Sequence, residues 1–358
     1  MTVSVIILNW NGRALLEEFL PSVIAHTPSN KADIIVADNG STDGSVDMLK
    51  EKFPSVRLIL LDKNYGFAEG YNLAISRVDS TYIVLLNSDV EVTAGWIDAP
   101  LQALETDDRL AGVQPKILAQ KDKKKFEYAG AAGGWIDSYG YPFCRGRVLH
   151  IVEEDYGQYD QPANIFWASG ACLFIRTEVF KKEGGFDARF FAHQEEIDLC
   201  WRLRARGYRL SCIPQSVVYH VGGGTLQVEN PQKTFLNFRN NLLMVYKNCP
   251  ADRLRPVMRL RFWLDYLAMT KFMLTGHFGN ALAIVKARRT YQRLKKEYAP
   301  IRAENLSKRI ETSIPEVFPQ SLIFNFYFKG KKKFSEIMVR GFNCQFITTY
   351  KSPFSAHG

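Results

Sequence analysis

Short, unbroken apolar runs alternate with amphipathic stretches along the first half of the chain. The runs at 3–8, 34–37, 56–61 and 82–86 are rich in Val, Ile and Leu. Uninterrupted runs of this length predict strands buried on both faces. Between them apolar residues recur at helical spacing, as at Leu15, Leu16, Phe19, Leu20 and Val23, which predicts helices covering the sheet. This βαβ rhythm predicts an α/β fold with a mostly parallel, doubly wound sheet. A second set follows, with a strand over 165–176, a short helix over 177–183, a helix over 195–206 and one or two strands over 208–219. The stretch 118–164 is rich in Gly, Tyr and charge and has no clear period, so it is predicted to form long loops over the site. No internal repeat is visible.

In open α/β sheets ligands bind beyond the carboxyl ends of the strands. Three predicted strands end in polar residues: Asn9-Trp10-Asn11-Gly12, then Asp38-Asn39-Gly40-Ser41-Thr42-Asp43, then Asn87-Ser88-Asp89. One such ending reads equally well as a turn followed by a helix cap. Three at corresponding places point to a site.

These segments, with Asn64-Tyr65-Gly66-Phe67-Ala68-Glu69-Gly70-Tyr71-Asn72, Ser169-Gly170-Ala171 and Glu195-Glu196-Ile197-Asp198-Leu199-Cys200-Trp201-Arg202, resemble the inverting family 2 glycosyltransferases with the GT-A fold. The likeness runs from Val3 to about Gly223 and is nearest to the bacterial rhamnosyltransferase-like branch. It implies a catalytic domain over 1–225, a nucleoside diphosphate sugar as donor, and Mg²⁺ or Mn²⁺ as cofactor. Asp38 is then expected to hydrogen-bond the base. Asn9, Trp10, Asn11, Asn64, Gly66, Asn72, Asn87 and Ser88 are expected around the nucleotide sugar, and His220 at the end of its strand is expected to complete a metal shell.

Asp89 is the metal candidate, because a diphosphate leaving group needs its developing charge neutralised by a hard cation held through carboxylate oxygen. The chain departs from the family's frequent Asp-x-Asp by carrying Asn87-Ser88-Asp89, which leaves one charged ligand. Inverting transfer also needs a carboxylate that takes the acceptor's proton. Glu195, Glu196 and Asp198 open a predicted helix, where an acidic first turn is favoured in any case by the helix dipole. Relatives use the second acid of Glu-Asp-x-Asp, which maps to Glu196. Glu196 is one methylene longer than the usual Asp, so Asp198 is also weighed. Trp167 reads as a sugar-stacking ring or as core.

Charge changes the picture only at the C-terminus. The chain has a formal net charge of +9. Residues 251–302 hold 12 Lys and Arg against three acids, so the rest is near neutral. That argues for one basic module and against a nucleic-acid surface. The apolar stretch 262–285 is broken by Asp265, Lys271, Gly276, His277 and Gly279, which disfavours a simple membrane span. The reading is a basic amphipathic helical extension over 226–305, either seated at a membrane interface or packed on the catalytic domain, and a tail over 306–358. The patch Lys329-Gly330-Lys331-Lys332-Lys333 adds to it. Six cysteines without a paired framework, and a strand-like start, suggest a reducing, cytoplasmic setting at the inner membrane face.

The expected activity is transfer of a sugar, rhamnose from dTDP-rhamnose as first candidate, to a polysaccharide or lipid-linked acceptor. Two rivals stand beside it. A sugar nucleotidyltransferase would carry a Gly-rich basic loop where Asn9-Trp10-Asn11-Gly12 stands, and a non-catalytic carbohydrate- or lipid-binding scaffold would not need Asp89, Glu196 and His220. The lack of GxGxxG at the first helix argues against a dinucleotide oxidoreductase.

Overall fold

The computed structural model describes residues 2–222 and 230–338. Gly223 and Gly224 beside His220, Cys344, and the end of the 306–358 tail lie outside the described residues. The chain opens with β1 (Val3–Asn9), α1 (Arg13–His26), β2 (Asp33–Asn39), α2 (Ser45–Lys52), β3 (Arg57–Leu61), α3 (Gly66–Ser76) and β4 (Tyr82–Asn87). It continues through β5 (Val90–Val92), α4 (Asp98–Thr106) and β6 (Leu110–Ala119). Side chains alternate across β1: Val5 and Ile7 join one core, under α1, α2 and α4, while Ile6 joins the other. Both faces are buried, which is why the strand reads as apolar throughout. Removing Ile6, fully buried, is the kind of change that costs about 2–5 kcal/mol.

The 118–164 stretch differs from the expectation of loops. It contains β7 (Gly134–Asp137), β8 (Pro142–Cys144), β9 (Arg147–Val148), β10 (Ile151–Val152) and β11 (Ala163–Asn164). Strands of two to four residues are too short to display a period of two. The expected strand over 165–176 also shortens, since β12 starts at Cys172 and ends at Arg176. The apolar run before it is a crossover: Ile165 N–H bonds Leu210 O (2.9 Å), Phe166 N–H bonds Gly134 O (2.8 Å), and the Ser169-Gly170 turn follows. Trp167 is core, 2% exposed, with its indole N–H on Trp135 O at 2.9 Å.

Next come α5 (Thr177–Lys182), α6 (Glu195–Ala205) and β13 (Arg209–His220). β13 is one strand with a register shift between Ile213 and Val217, at Pro214, which has no N–H to donate. The large sheet runs β11-β13-β6-β12-β4-β1-β2-β3, with β5 on β13. Strands β1, β2, β3, β4, β6 and β13 share one direction, and β12 is antiparallel between β4 and β6. The C-terminal part supplies α7 (Pro231–Asn248), α8 (Ala251–Leu274), α9 (Phe278–Ser307), β14 (Val317–Phe318), α10 (Leu322–Phe328) and α11 (Phe334–Met338). β14 adds to β7, completing a second sheet of order β10-β9-β8-β7-β14. Helix α7 starts with Asn230 accepting from Gln232 N–H and with Pro231 at its first position, a strong start signal. From Asn240 onward it is buried on every side.

Candidate active site

Three strand ends are tied together by side-chain amides. Asn9 is fully buried, and its Nδ2 donates to Asp38 Oδ1 at 2.9 Å and to Ser41 Oγ at 3.1 Å. Asp38 Oδ2 accepts from Ser41 N–H at 2.9 Å. Asn9 is thus a brace for Asp38, corrected from a lining residue, because a side chain with no exposure cannot meet a ligand directly. Asn11 sits at a φ of 50° and accepts from Thr42 N–H at 2.7 Å, a conformation Asn adopts more readily than most residues. Between them Trp10 is exposed. Asn39 fixes the next loop, donating to Asn64 Oδ1 (3.1 Å) and Gly66 O (3.0 Å) while accepting from Tyr65 N–H (3.0 Å). Gly66 has a φ of +76°, and a Cβ there would lie 2.5 Å from the Phe191 ring. No larger residue fits.

Asn72 is a second correction. Its amide donates to Phe186 O (2.9 Å) and accepts from Phe186 N–H (3.0 Å), so both ends hold backbone. Nδ2 also donates to Glu69 Oε2 at 3.1 Å, so both amide hydrogens are used within the protein.

At the end of β4, Asn87 and Ser88 are partly exposed and Asp89 is buried. Asp89 Oδ1 lies 3.1 Å from His220 Nε2, and Asn87 Nδ2 is 3.3 Å from the same nitrogen. On the other side of the ring, Glu127 Oε2 is 3.4 Å from Nδ1. Burial works to lower the His220 pKa, but the bonds to Asp89 and Glu127 outweigh it and raise it to about 10. Burial likewise opposes ionisation of Asp89, yet His220 holds its pKa below the ordinary value. Glu127 lies in the stretch without periodicity, and no sequence signal marks it.

Glu195, Glu196 and Asp198 open α6, and the structure separates them. Asp198 is fully buried and bonded to Lys247 (2.8 Å), Arg202 (3.2 Å) and Asn248 (2.8 Å). Burial raises its pKa, but Lys247 and Arg202 more than reverse that. It is corrected from a candidate base to an anchor, since a carboxylate bound by two cations is a poor proton acceptor. Glu195 is buried, and burial followed by the Glu196 charge pushes its pKa well up. Glu196 is only partly buried. Burial raises its pKa to about 7, against bonds from its own N–H and that of Ile197 at the open end of α6. A base poised near neutrality has this character. Its Oε2 has no protein partner.

One backbone path links the two halves. Asn87 N–H bonds Ala171 O at 3.0 Å, and a Cβ on neighbouring Gly170 would stand 4.0 Å from Glu196 Cβ. The Asn87-Ser88-Asp89 end and Glu196 therefore flank the same turn. This arrangement has a buried acid–imidazole pair on one side and a carboxyl of raised pKa on the other.

The architecture resembles solved glycosyltransferase structures. GalNAc-T7 with UDP, GalNAc and Mn²⁺ superposes with a TM-score of 0.53 at 18% identity, covering 69% of this chain and 48% of that one. TarS 1–349 of S. aureus in complex with UDP gives 0.51 at 14% identity, covering 86% and 89%. At such identities these show the fold alone, and it is the GT-A fold. The glycosyl transferase family 2 model matches residues 4–184, more than half of the chain, and the protein belongs to that family. It is similar to the N-acetylglucosaminyl-diphospho-decaprenol L-rhamnosyltransferase of Mycobacterium tuberculosis, with 29% identity over 223 residues, 57% of this chain and 71% of that protein. It is also similar to rhamnosyltransferase WbbL of Escherichia coli K12, with 24% identity over 163 residues, 44% of this chain and 61% of that protein.

Proposed function

We propose that this enzyme is an inverting, metal-dependent transferase that moves rhamnose from dTDP-rhamnose to a saccharide or lipid-linked acceptor at the inner face of the cytoplasmic membrane. The observation that carries the reading is Glu196. It is a half-buried carboxylate with a pKa near 7, beside the turn that also carries the Asp89 strand end. In this reading the acceptor hydroxyl attacks the anomeric carbon opposite the departing diphosphate and gives its proton to Glu196. Asp38, braced by Asn9, faces the base, and Trp10, Asn11, Asn64, Gly66, Asn87 and Ser88 surround the nucleotide sugar.

The residues fit a divalent cation. Asp89 offers an oxygen 3.1 Å from His220 Nε2, which would become a ligand nitrogen once the ion displaces its proton, and Glu127 faces the far nitrogen of the ring, the carboxylate–histidine arrangement that orients metal-binding imidazoles. Among the described residues no group of three or more acids, His or Cys is placed to hold an ion, so phosphate oxygens and water would fill the remaining positions, as Mg²⁺ and Mn²⁺ favour. When bound, the ion would neutralise the charge of the leaving diphosphate.

Support for the membrane surface comes from α8 and α9. No helix of the described residues is long and apolar enough to cross a membrane. Along α8, Trp263 (70% exposed), Leu267 and Leu274 (83%) are exposed together with Arg259 and Lys271, and along α9 Phe278 and Leu282 are exposed together with Lys286 and Arg289. Exposed apolar side chains interspersed with cations suit an anionic lipid surface, where each basic residue contributes about 1 kcal/mol. On α10, Phe324, Tyr327 and Phe328 are exposed ahead of the lysine patch.

A panel of nucleotide sugars tests the reading. Thermal shift and nucleoside diphosphate release should select dTDP-rhamnose, with Mn²⁺ or Mg²⁺ required. Selection of another donor would overturn the rhamnose assignment, and release from none would overturn the transferase mechanism.

A further inference from the structure

The segment 189–194, which leads into Glu195 and Glu196, is backbone under strain. Phe191, His193 and Gln194 have φ values of 65°, 71° and 73°, in a region that β-carbon sterics disfavour. Three such residues within four positions persist only where the surroundings over-determine them. The restraint is visible carbonyl by carbonyl. Arg239 Nη2 donates to Arg189 O (2.8 Å) and Phe190 O (3.0 Å). Asn240 Nδ2 lies within bonding distance of three carbonyls, those of Phe190 (2.9 Å), Ala192 (2.9 Å) and His193 (2.8 Å). Phe191 O accepts from Phe67 N–H (2.6 Å) and Ala68 N–H (3.1 Å), at the start of α3, and Gln194 O accepts from Asp198 N–H (2.9 Å).

The donors are themselves oriented. Arg239 Nε donates to Asn240 Oδ1 at 2.8 Å, which turns the Asn240 amide nitrogen toward the segment. Asn241 Nδ2 donates to Gln194 Oε1 at 2.9 Å. Two turns further along α7, Lys247 and Asn248 hold Asp198, each at 2.8 Å. Helix α7 therefore grips the chain on both sides of Glu196.

We propose that α7 positions the catalytic base: Asn240, oriented by Arg239, holds 189–194 in the left-handed turn from which α6 starts, while Lys247 and Asn248 fix the first turn of α6 through Asp198. The inference rests on Glu196 being the base. It gives the helical extension a role inside the active site, and makes Arg239 and Asn240 positioning residues that touch no reactant. The same turn meets the nucleotide pocket, since the Phe191 carbonyl caps α3 beside Gly66.

The test compares full-length wild type with Asn240→Ala, Asn240→Ser and Arg239→Ala. Release of dTDP from dTDP-rhamnose is followed between pH 5 and 9, and amide hydrogen exchange is followed over 189–196. Asn240→Ala should lower kcat at least tenfold with the donor KM within twofold. Its acid limb should move to lower pH as water reaches Glu196, and exchange over 189–196 should quicken. Arg239→Ala and Asn240→Ser should shift every readout the same way by less. Arg239 is only partly buried, so Arg239→Ala decides the matter if Asn240→Ala does not fold. Exchange unchanged from wild type would overturn the clamp, and faster exchange with wild-type kcat and acid limb would overturn its role in positioning. If the wild type releases no dTDP, the donor reading has failed and the exchange arm alone decides whether the clamp exists.

Discussion

Asp89 and His220 lie 3.1 Å apart although they come from distant parts of the chain. The contact follows from the sheet: β5, immediately after Asp89, pairs antiparallel with the end of β13, so His220 is registered with Val90. A carboxylate and an imidazole are delivered to one place by backbone pairing.

Metal dependence should follow from that pair. Transfer should stop in EDTA and return with Mn²⁺ or Mg²⁺. Asp89→Ala should stay inactive in excess Mn²⁺, and His220→Ala should need about tenfold more metal or beyond. Activity against metal concentration measures each, and full turnover in EDTA would exclude a metal role.

The raised pKa of Glu196 also sets a stability trend. The folded protein keeps this proton up to about pH 7, whereas an unfolded glutamate loses it near 4.3. Between those values the folded state binds more protons, so stability falls as pH rises. Glu196→Gln should therefore melt higher than wild type at pH 8, by about 1–2 kcal/mol once partial exposure is allowed for, and the gap should close near pH 4. Melting curves at the two pH values check this.

Catalysis should show the complementary limb. Only the ionised Glu196 accepts a proton, so turnover should rise with pH up to about 7 and then level. A pH–rate profile with its acid limb near 4 would indicate a solvent-exposed base elsewhere.

Asp198 behaves differently in this account. Lys247→Met should leave the Asp198 charge buried with a weakened partner set, and should cost about 3–5 kcal/mol of stability. Urea unfolding measures the loss. An unchanged midpoint would mean that the Asp198–Lys247 contact at 2.8 Å does not anchor α6.

Lipid contact is separable from chemistry. Trp263→Ser with Leu267→Ser should weaken sedimentation with vesicles containing anionic lipid and leave dTDP-rhamnose turnover in solution unchanged. Equal binding by the variant and wild type would remove α8 as the docking face.

The chain shows its central sheet plainly, because β1, β2 and β4 are apolar on both faces. β7 to β10 stay hidden because each is only a few residues long, and Phe166 and Trp167 imitate a strand while packing a crossover. Polar side chains after apolar runs mark the site only in part. Asn9, Asn72 and Asp198 have the composition of ligand contacts, yet they hold Asp38, Phe186 and Lys247. Glu127, Asn240 and Asn241 carry no local signal, because each works through chain segments remote in sequence.

The central claim is that Glu196 deprotonates the acceptor, and a paired measurement on Glu196→Gln tests it most directly. Calorimetry with dTDP and Mn²⁺ should give binding within a few-fold of wild type, while transfer from dTDP-rhamnose falls by about 10²–10⁴. Transfer at the wild-type rate with nucleotide still bound would contradict it.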